Sequence, residues 1–373
     1  MRGAKDIAIV GAGIIGLAHA YMAARRGKRV VVIDRDARAN GASVRNFGFI
    51  TVTGQERGQM WSRALRASTH WREISRQAKI NILHNGLLMV AHRDEAHTVL
   101  KSFMETEMGE GCALLSTNDF ASRYPHFRAR PAAALHSPHE LRVESRQAIP
   151  QLASWLAESF GVEFLWATAV HDVSPPVLRT SRGDVFAETA IVCPGDDHIS
   201  LFSERIAPRK LLRSKLQMMR LADPGFRLPA GIMSDLGLIR YAGYAALPTA
   251  QPLLARLRDE QGEHLRHGVH LIVVQSRDGS LVVGDSHHYD PTPDPFSSSK
   301  VDELILDEFT RTVCAPPAVI ERWTGTYSSG GEPVFIDRVS DAVRLVIVTT
   351  GAGASISFAL AEDVIDDLYG SMT

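Results

Sequence analysis

The run Gly11-Ala12-Gly13-Ile14-Ile15-Gly16 leaves the start of this chain few ways to fold. It follows an apolar stretch at 7–10 and opens a segment with helical patterning that Gly27 closes, where a helix C-cap falls. The pattern predicts a strand over 6–10, a helix over 14–26 and a parallel second strand over 29–34. In such a unit Gly11 permits the tight turn and Gly13 lets backbone approach a pyrophosphate. Gly16 allows close helix–strand packing, and the helix N-terminus faces the phosphates. Asp34 ends the second strand, 23 residues after Gly11, where a carboxylate accepts hydrogen bonds from ribose hydroxyls. An acid there disfavours the 2′-phosphate of NADP. These residues alone leave FAD and NAD both open.

The other end of the chain repeats the device, with an apolar strand at 345–350, the turn Gly351-Ala352-Gly353 and a helix to about 369. Between them the patterning gives a strand at 87–91, turn-rich residues 128–139, a helix at 147–160 and strands at 162–166 and 189–193. A hairpin at 270–275 and 280–285 turns through Asp278-Gly279, and an amphipathic helix covers 301–313. No internal repeat or low-complexity tract is present. Two interleaved α/β domains are expected: a nucleotide-binding domain from 1–80, 146–206 and 324–373, and a second from 81–145 and 207–323.

With 41 basic and 42 acidic residues among 373, the chain has no field for nucleic acid or an anionic membrane. No run approaches the roughly 18 apolar residues of a membrane span, and the stretch at 7–10 is too short for a signal peptide. Cys112, Cys193 and Cys314 show neither metal-ligand spacing nor a CxxC pair, so no metal is expected and a cytoplasmic setting is.

Four further stretches, read with the N-terminal unit, resemble the D-amino-acid oxidase-like family of FAD oxidoreductases, which includes glycine and sarcosine oxidases. Gly41-Ala42-Ser43-Val44-Arg45-Asn46-Phe47-Gly48 is similar to that family's loop around the pyrophosphate and isoalloxazine. Ala169-Val170 matches its adenine-side strand, and Ile191-Val192-Cys193-Pro194-Gly195 a strand ending beside the cofactor. Gly351-Ala352-Gly353-Ala354-Ser355-Ile356 matches the turn and helix start at the flavin. The resemblance implies a Rossmann-like, glutathione-reductase-like FAD-binding domain interleaved with a mixed or antiparallel-sheet substrate domain. It implies FAD contacts at Gly11, Ala12, Gly13, Ile14, Ile15, Gly16, Asp34, Arg35, Ala42, Ser43, Arg45, Asn46, Phe47, Gly48, Val170, Pro194, Gly195, Gly351, Gly353, Ala354, Ser355 and Ile356. Residues 323–337 lack Cys and 41–50 lack His, the points of covalent attachment in relatives, so the FAD is expected to be non-covalent.

On the substrate side, family members acting on amino acids place a carboxylate-binding Arg after a Trp-x-Gly stretch. Trp323-Thr324-Gly325-Thr326-Tyr327 puts Tyr in that slot. In sarcosine-oxidase-like relatives a Lys faces the flavin and a His the substrate. Here Val282 stands near the Lys position, and His287 or His288 matches the His. Arg45, Lys215 and one of His287 or His288 are the candidate cationic donors, with Tyr241 and Tyr327 closing the pocket. Lys215 also reads as a solvated strand residue, and the His pair as part of the Pro-rich loop. Ala42-Ser43-Val44-Arg45-Asn46-Phe47-Gly48-Phe49, Lys215-Leu216-Gln217-Met218, Gly284-Asp285-Ser286-His287-His288-Tyr289 and Trp323-Thr324-Gly325-Thr326-Tyr327 together resemble a bacterial clade that accompanies phosphonate-degrading enzymes. This implies oxidation of an aminoalkylphosphonate, or its N-methyl derivative, to an aldehyde and an amine, with oxygen or another electron acceptor. An amino acid or N-methyl amino acid oxidase or dehydrogenase of glycine or sarcosine type is the alternative, and a non-catalytic flavoprotein a third.

Overall fold

The computed structural model describes residues 4–371. The strands Lys5–Val10, Val30–Ile33, Gly183–Val192, Glu163–Leu165 and Val343–Val348 form a parallel array, with Lys5–Val10 between Gly183–Val192 and Val30–Ile33. Val334–Ser340 closes one edge antiparallel. Side chains alternate across this sheet. Ile7, Ile9, Val30, Val32 and Ile191 pack under the helices Ile14–Arg25, Ser145–Phe160 and Gly353–Tyr369. Ala8, Val31, Ile33, Val192 and Leu345 face the other way, onto Val173 and Leu178 of the short strands Val170–Ser174 and Val177–Thr180. Both faces are covered, so the central stretches Ile7–Val10, Val30–Ile33, Ala190–Val192 and Leu345–Val348 are continuously apolar.

A second sheet has ten strands. Its centre is the hairpin Ile272–Gln275 and Leu281–Gly284, turned at Gly279, with Leu212–Leu221 beside one strand and Gly231–Ser234 beside the other. Val319–Ser329 pairs with Leu212–Leu221 along nearly its whole length, so residues 324–329 run in this sheet. One pairing, Gly231–Ser234 with Ile82–Ala91, is parallel, and the others are antiparallel.

Two stretches depart from expectation. Residues 133–143, most of which the sequence reads as turns, form the long strand Ala133–Val143, and Pro138 sits exposed where the register with Ile82–Ala91 slips. A strand tolerates proline at such an irregularity because no ladder N–H is needed there. The helix Gln59–Gln77, unassigned by the sequence reading, buries Met60, Ala64, Ala67, Trp71 and Ile74 on one stripe and pairs Arg63 and Arg66 with Asp363 on the C-terminal helix. No helix among the described residues is long and apolar enough to cross a membrane.

Candidate active site

At the end of Lys5–Val10 the chain turns through Gly11, whose φ is +103° and whose added Cβ would lie 2.4 Å from the Cys193 carbonyl. A Cβ on Gly16 would lie 1.8 Å from the Gly11 carbonyl, so only glycine lets the helix sit this close to the strand. The helix starts at Ile14 with no side-chain cap from Gly13, and the Ile14 amide donates to Ser43 Oγ at 2.9 Å. Asp34 accepts from the Ala12 amide at 2.6 Å and the Asp36 amide at 2.9 Å. Burial raises its carboxyl above the usual range against the pull of those two donors.

These residues line one end of a cavity of about 990 Å³, at the large end of the roughly 300–1,000 Å³ typical of small-molecule sites. The same cavity takes in Ser43, Arg45, Asn46 and Phe47, the Cys193–Gly195 turn, Gly351–Ala354, and the face of the second sheet bearing Leu216 and Ile272. Of the residues expected to contact the cofactor, all line it except Ala12, Gly48, Ser355 and Ile356. Those four stand behind the wall. Ala12 spends its amide on Asp34, Ser355 Oγ accepts from the Thr51 amide at 2.9 Å, and Ile356 is core. Gly48 presses so closely on Val143 that a Cβ would meet its carbonyl at 1.8 Å.

The far end is built where the second sheet is interrupted. Leu281–Gly284 and His288–Asp290 both pair with Leu212–Leu221, but residues 285–287 between them leave the ladder. Asp285 and His287 thereby face the cavity. Asp285 and His270 exchange backbone hydrogen bonds at 3.0 and 3.2 Å across the mouth of the hairpin. Around the Asp285 carboxyl lie His270 Nδ1 at 3.4 Å and His287 Nε2 at 3.8 Å, while His270 Nε2 is 3.2 Å from the Tyr241 hydroxyl. Arg240 donates to the Tyr289 hydroxyl at 3.0 Å, and Tyr327 lies edge-on to His287. Burial lifts Asp285 to about 7 although Arg240 pulls it down. Burial, then the charge of Arg240, holds His270 and His287 well below the ordinary imidazole value. Burial also pushes Tyr327 up to about 12. Arg240 remains a cation, since its phenol and carboxyl neighbours outweigh its burial.

Arg45, His287, Tyr241 and Tyr327 all reach this cavity, whereas Lys215 and His288 do not. Strand alternation is the reason. Leu216 faces the cavity, so Lys215 faces away, and its ammonium donates to Asp294 and to the Phe296 carbonyl, both at 2.9 Å. His287 and Tyr289 face the cavity, so His288 faces away, onto His267 at 3.1 Å. His287 is corrected in a second respect, because an imidazole held this far down is neutral at neutral pH and supplies no cationic donor. Arg240, His270, Asp285 and Tyr289 also line the cavity, beyond the residues expected there. Asp285 and Tyr289 carried a signal, an acid and a phenol flanking the His pair. Arg240 and His270 carried none, being joined to the site only by the fold.

Residues 6–366 match the family described as FAD dependent oxidoreductase, DAO. The chain belongs to this family. Its fold is similar to that of glycine oxidase from Bacillus cereus, at 17% identity over 99% of this chain and 96% of that one, with a TM-score of 0.79. It is similar to L-proline dehydrogenase from P. horikoshii, at 16% identity over 100% and 96%, TM-score 0.79. It also resembles FAD-bound L-α-glycerophosphate oxidase from Mycoplasma pneumoniae, at 15% identity over 98% and 94%, TM-score 0.74. At such identities the likeness is one of fold. Comparison with curated proteins finds no match.

FAD is the DAO-family cofactor, and this cavity fits it. The Asp34 carboxylate, half-buried, lines it at the end of Val30–Ile33, beside a helix start whose Gly13 brings no capping side chain and whose Ile14 amide is met by Ser43 Oγ. A second such start, at Ala352, lies on the same cavity next to the Gly351 turn, where Tyr327 Oη comes close. Helix N-termini of this kind stabilise anionic groups.

Proposed function

We propose that this oxidoreductase acts on a small amine that also carries an anion, an aminoalkylphosphonate or its N-methyl derivative, yielding an aldehyde and an amine. The observation that carries the reading is Arg240, a half-buried guanidinium steadied by Tyr289 on the cavity that also holds the Gly351–Ala354 turn. Arg45 lines the same cavity, engaged by no carboxylate among the described residues. Two guanidinium groups suit a phosphonate dianion better than a single carboxylate fork. Similarity of the 41–50, 215–218, 284–289 and 323–327 stretches to the phosphonate-associated clade supports the same substrate.

When bound, FAD supplies the two-electron acceptor for hydride leaving the carbon beside nitrogen. Arg240 binds the substrate anion and Tyr289 fixes the guanidinium. Phe47, Phe49, Leu216 and Ile272 give an apolar wall that keeps water from weakening these charges. The first sheet and its helices hold FAD non-covalently, and the second sheet holds the substrate. Three free cysteines support a reducing, cytoplasmic setting.

Arg240 also supports a second reading, oxidation of an amino or N-methylamino acid, with this guanidinium replacing the arginine missing at Tyr327. An anaerobic screen separates the two. Bleaching of the yellow holoenzyme by 2-aminoethylphosphonate with release of an aldehyde is expected, and recovery of colour with oxygen would identify the acceptor. Bleaching by glycine or sarcosine alone would favour the second reading. No bleaching by any amine would leave FAD a structural group and remove both.

A further inference from the structure

We propose that Asp285 binds the substrate's ammonium group and removes its proton before hydride leaves, making it the catalytic base of the reaction. This rests on the amine reading above. Arg240 and Asp285 put a cation and an acid on one cavity, which matches the two poles of a zwitterion. The anionic end of the substrate then lies at Arg240 and the nitrogen at Asp285.

Asp285 is 4% exposed, and its Oδ1 has no hydrogen-bond partner among the described residues. A buried carboxylate left in this state is costly, and an ammonium donor from a ligand relieves it. The groups facing it are Arg240, His270, His287, Tyr241 and Tyr327. Of these only Arg240 is charged at neutral pH, since the imidazoles are held low and the phenols high. No other carboxyl or imidazole there competes for the proton, and burial keeps the acid near 7, suited to accepting one.

In the step, R–CH2–NH3+ and the Asp285 carboxylate give R–CH2–NH2 and the carboxylic acid. The free amine's lone pair can then form C=N as the C–H electron pair departs as hydride, which bound FAD would accept. Water hydrolyses the resulting iminium to the aldehyde and ammonium, or methylammonium where the substrate is N-methylated.

The test is anaerobic stopped-flow reduction of the FAD holoenzyme by 2-aminoethylphosphonate, with glycine as second probe, across pH. Wild type should be reduced more slowly as pH falls below neutrality. Asp285→Asn, with FAD content unchanged, should lose about 10²–10⁴-fold in the limiting rate at neutral pH. It should recover as pH approaches the amine's own pKa, where free amine needs no base. Asp285→Glu should restore part of the neutral-pH rate. A wild type reduced with no change in rate through neutrality would overturn the base role while leaving amine oxidation intact, whether or not the variants fold. So would an Asp285→Asn enzyme as fast as wild type. A divalent ion retained stoichiometrically by wild type and lost in Asp285→Asn would also overturn it. A wild type reduced by no amine removes the underlying reading instead.

Discussion

Asp285 carries a stability signature as well as a chemical one. Its folded-state pKa, about 7, lies above the ordinary 3.8, so between those values the folded protein holds a proton that the unfolded chain has released. Stability contributed by this group is therefore present at acid pH, falls as pH rises through that window and levels off above it, by at most about 4 kcal/mol. Asp285→Asn should flatten that part of the profile and raise the holoenzyme Tm at neutral pH while slowing flavin reduction. A Tm that drops at neutral pH would mean that the carboxylate is a structural partner. Arg240→Leu should lower kcat/KM for an anionic amine by about 2–5 kcal/mol and leave a neutral amine almost untouched. Lys215→Met should leave both values alone, because the ammonium of this buried lysine faces the exposed Asp294 and not the cavity.

The glycines of the first turn do different work, and their variants should part accordingly. Gly13→Val puts a side chain against Ser43 and into the cavity, so folded protein without yellow colour is expected. Gly16→Val drives a Cβ into the Gly11 carbonyl, so loss of the fold is expected, read by circular dichroism. Asp34→Ala should weaken FAD binding by about 1.5–3 kcal/mol in a titration of apoprotein with FAD. This unit was legible because glycine spacing, helical periodicity and a strand-end acid are all local signals. The helix Gln59–Gln77 passed unassigned because polar residues interleave its apolar stripe, leaving mean hydropathy low. Ala133–Val143 was obscured by Pro131 and Pro138, which read as turn residues until a partner strand absorbs the irregularity. Lys215 and His288 failed by one residue of strand register, which patterning could not resolve while the strand's partners were unknown.

The substrate end is a property of the whole molecule. Arg240 and Tyr241 follow one strand, His270 precedes another, Asp285 and His287 fill a break in a third, and Tyr327 comes from a fourth that runs beside Leu212–Leu221. No local spacing unites them, which is why the cofactor end could be read from the chain and the substrate end only in part. Its polarity is nonetheless specific, an arginine and a buried acid on one cavity reached by the helix turn at Gly351. Flavin should leave with the supernatant when the protein is acid-precipitated, since Cys314, the cysteine nearest in sequence to the Trp323 stretch, does not line that cavity, and the Sγ of Cys193, which does, is turned onto His19. The most direct test pairs two substrates differing only in the anion, 2-aminoethylphosphonate and ethylamine, against the oxidised holoenzyme without oxygen. Expected is fast loss of the oxidised-flavin band with the phosphonate and little or none with ethylamine. Equal rates, or faster bleaching by ethylamine, would contradict the assignment of this cavity to an anionic amine.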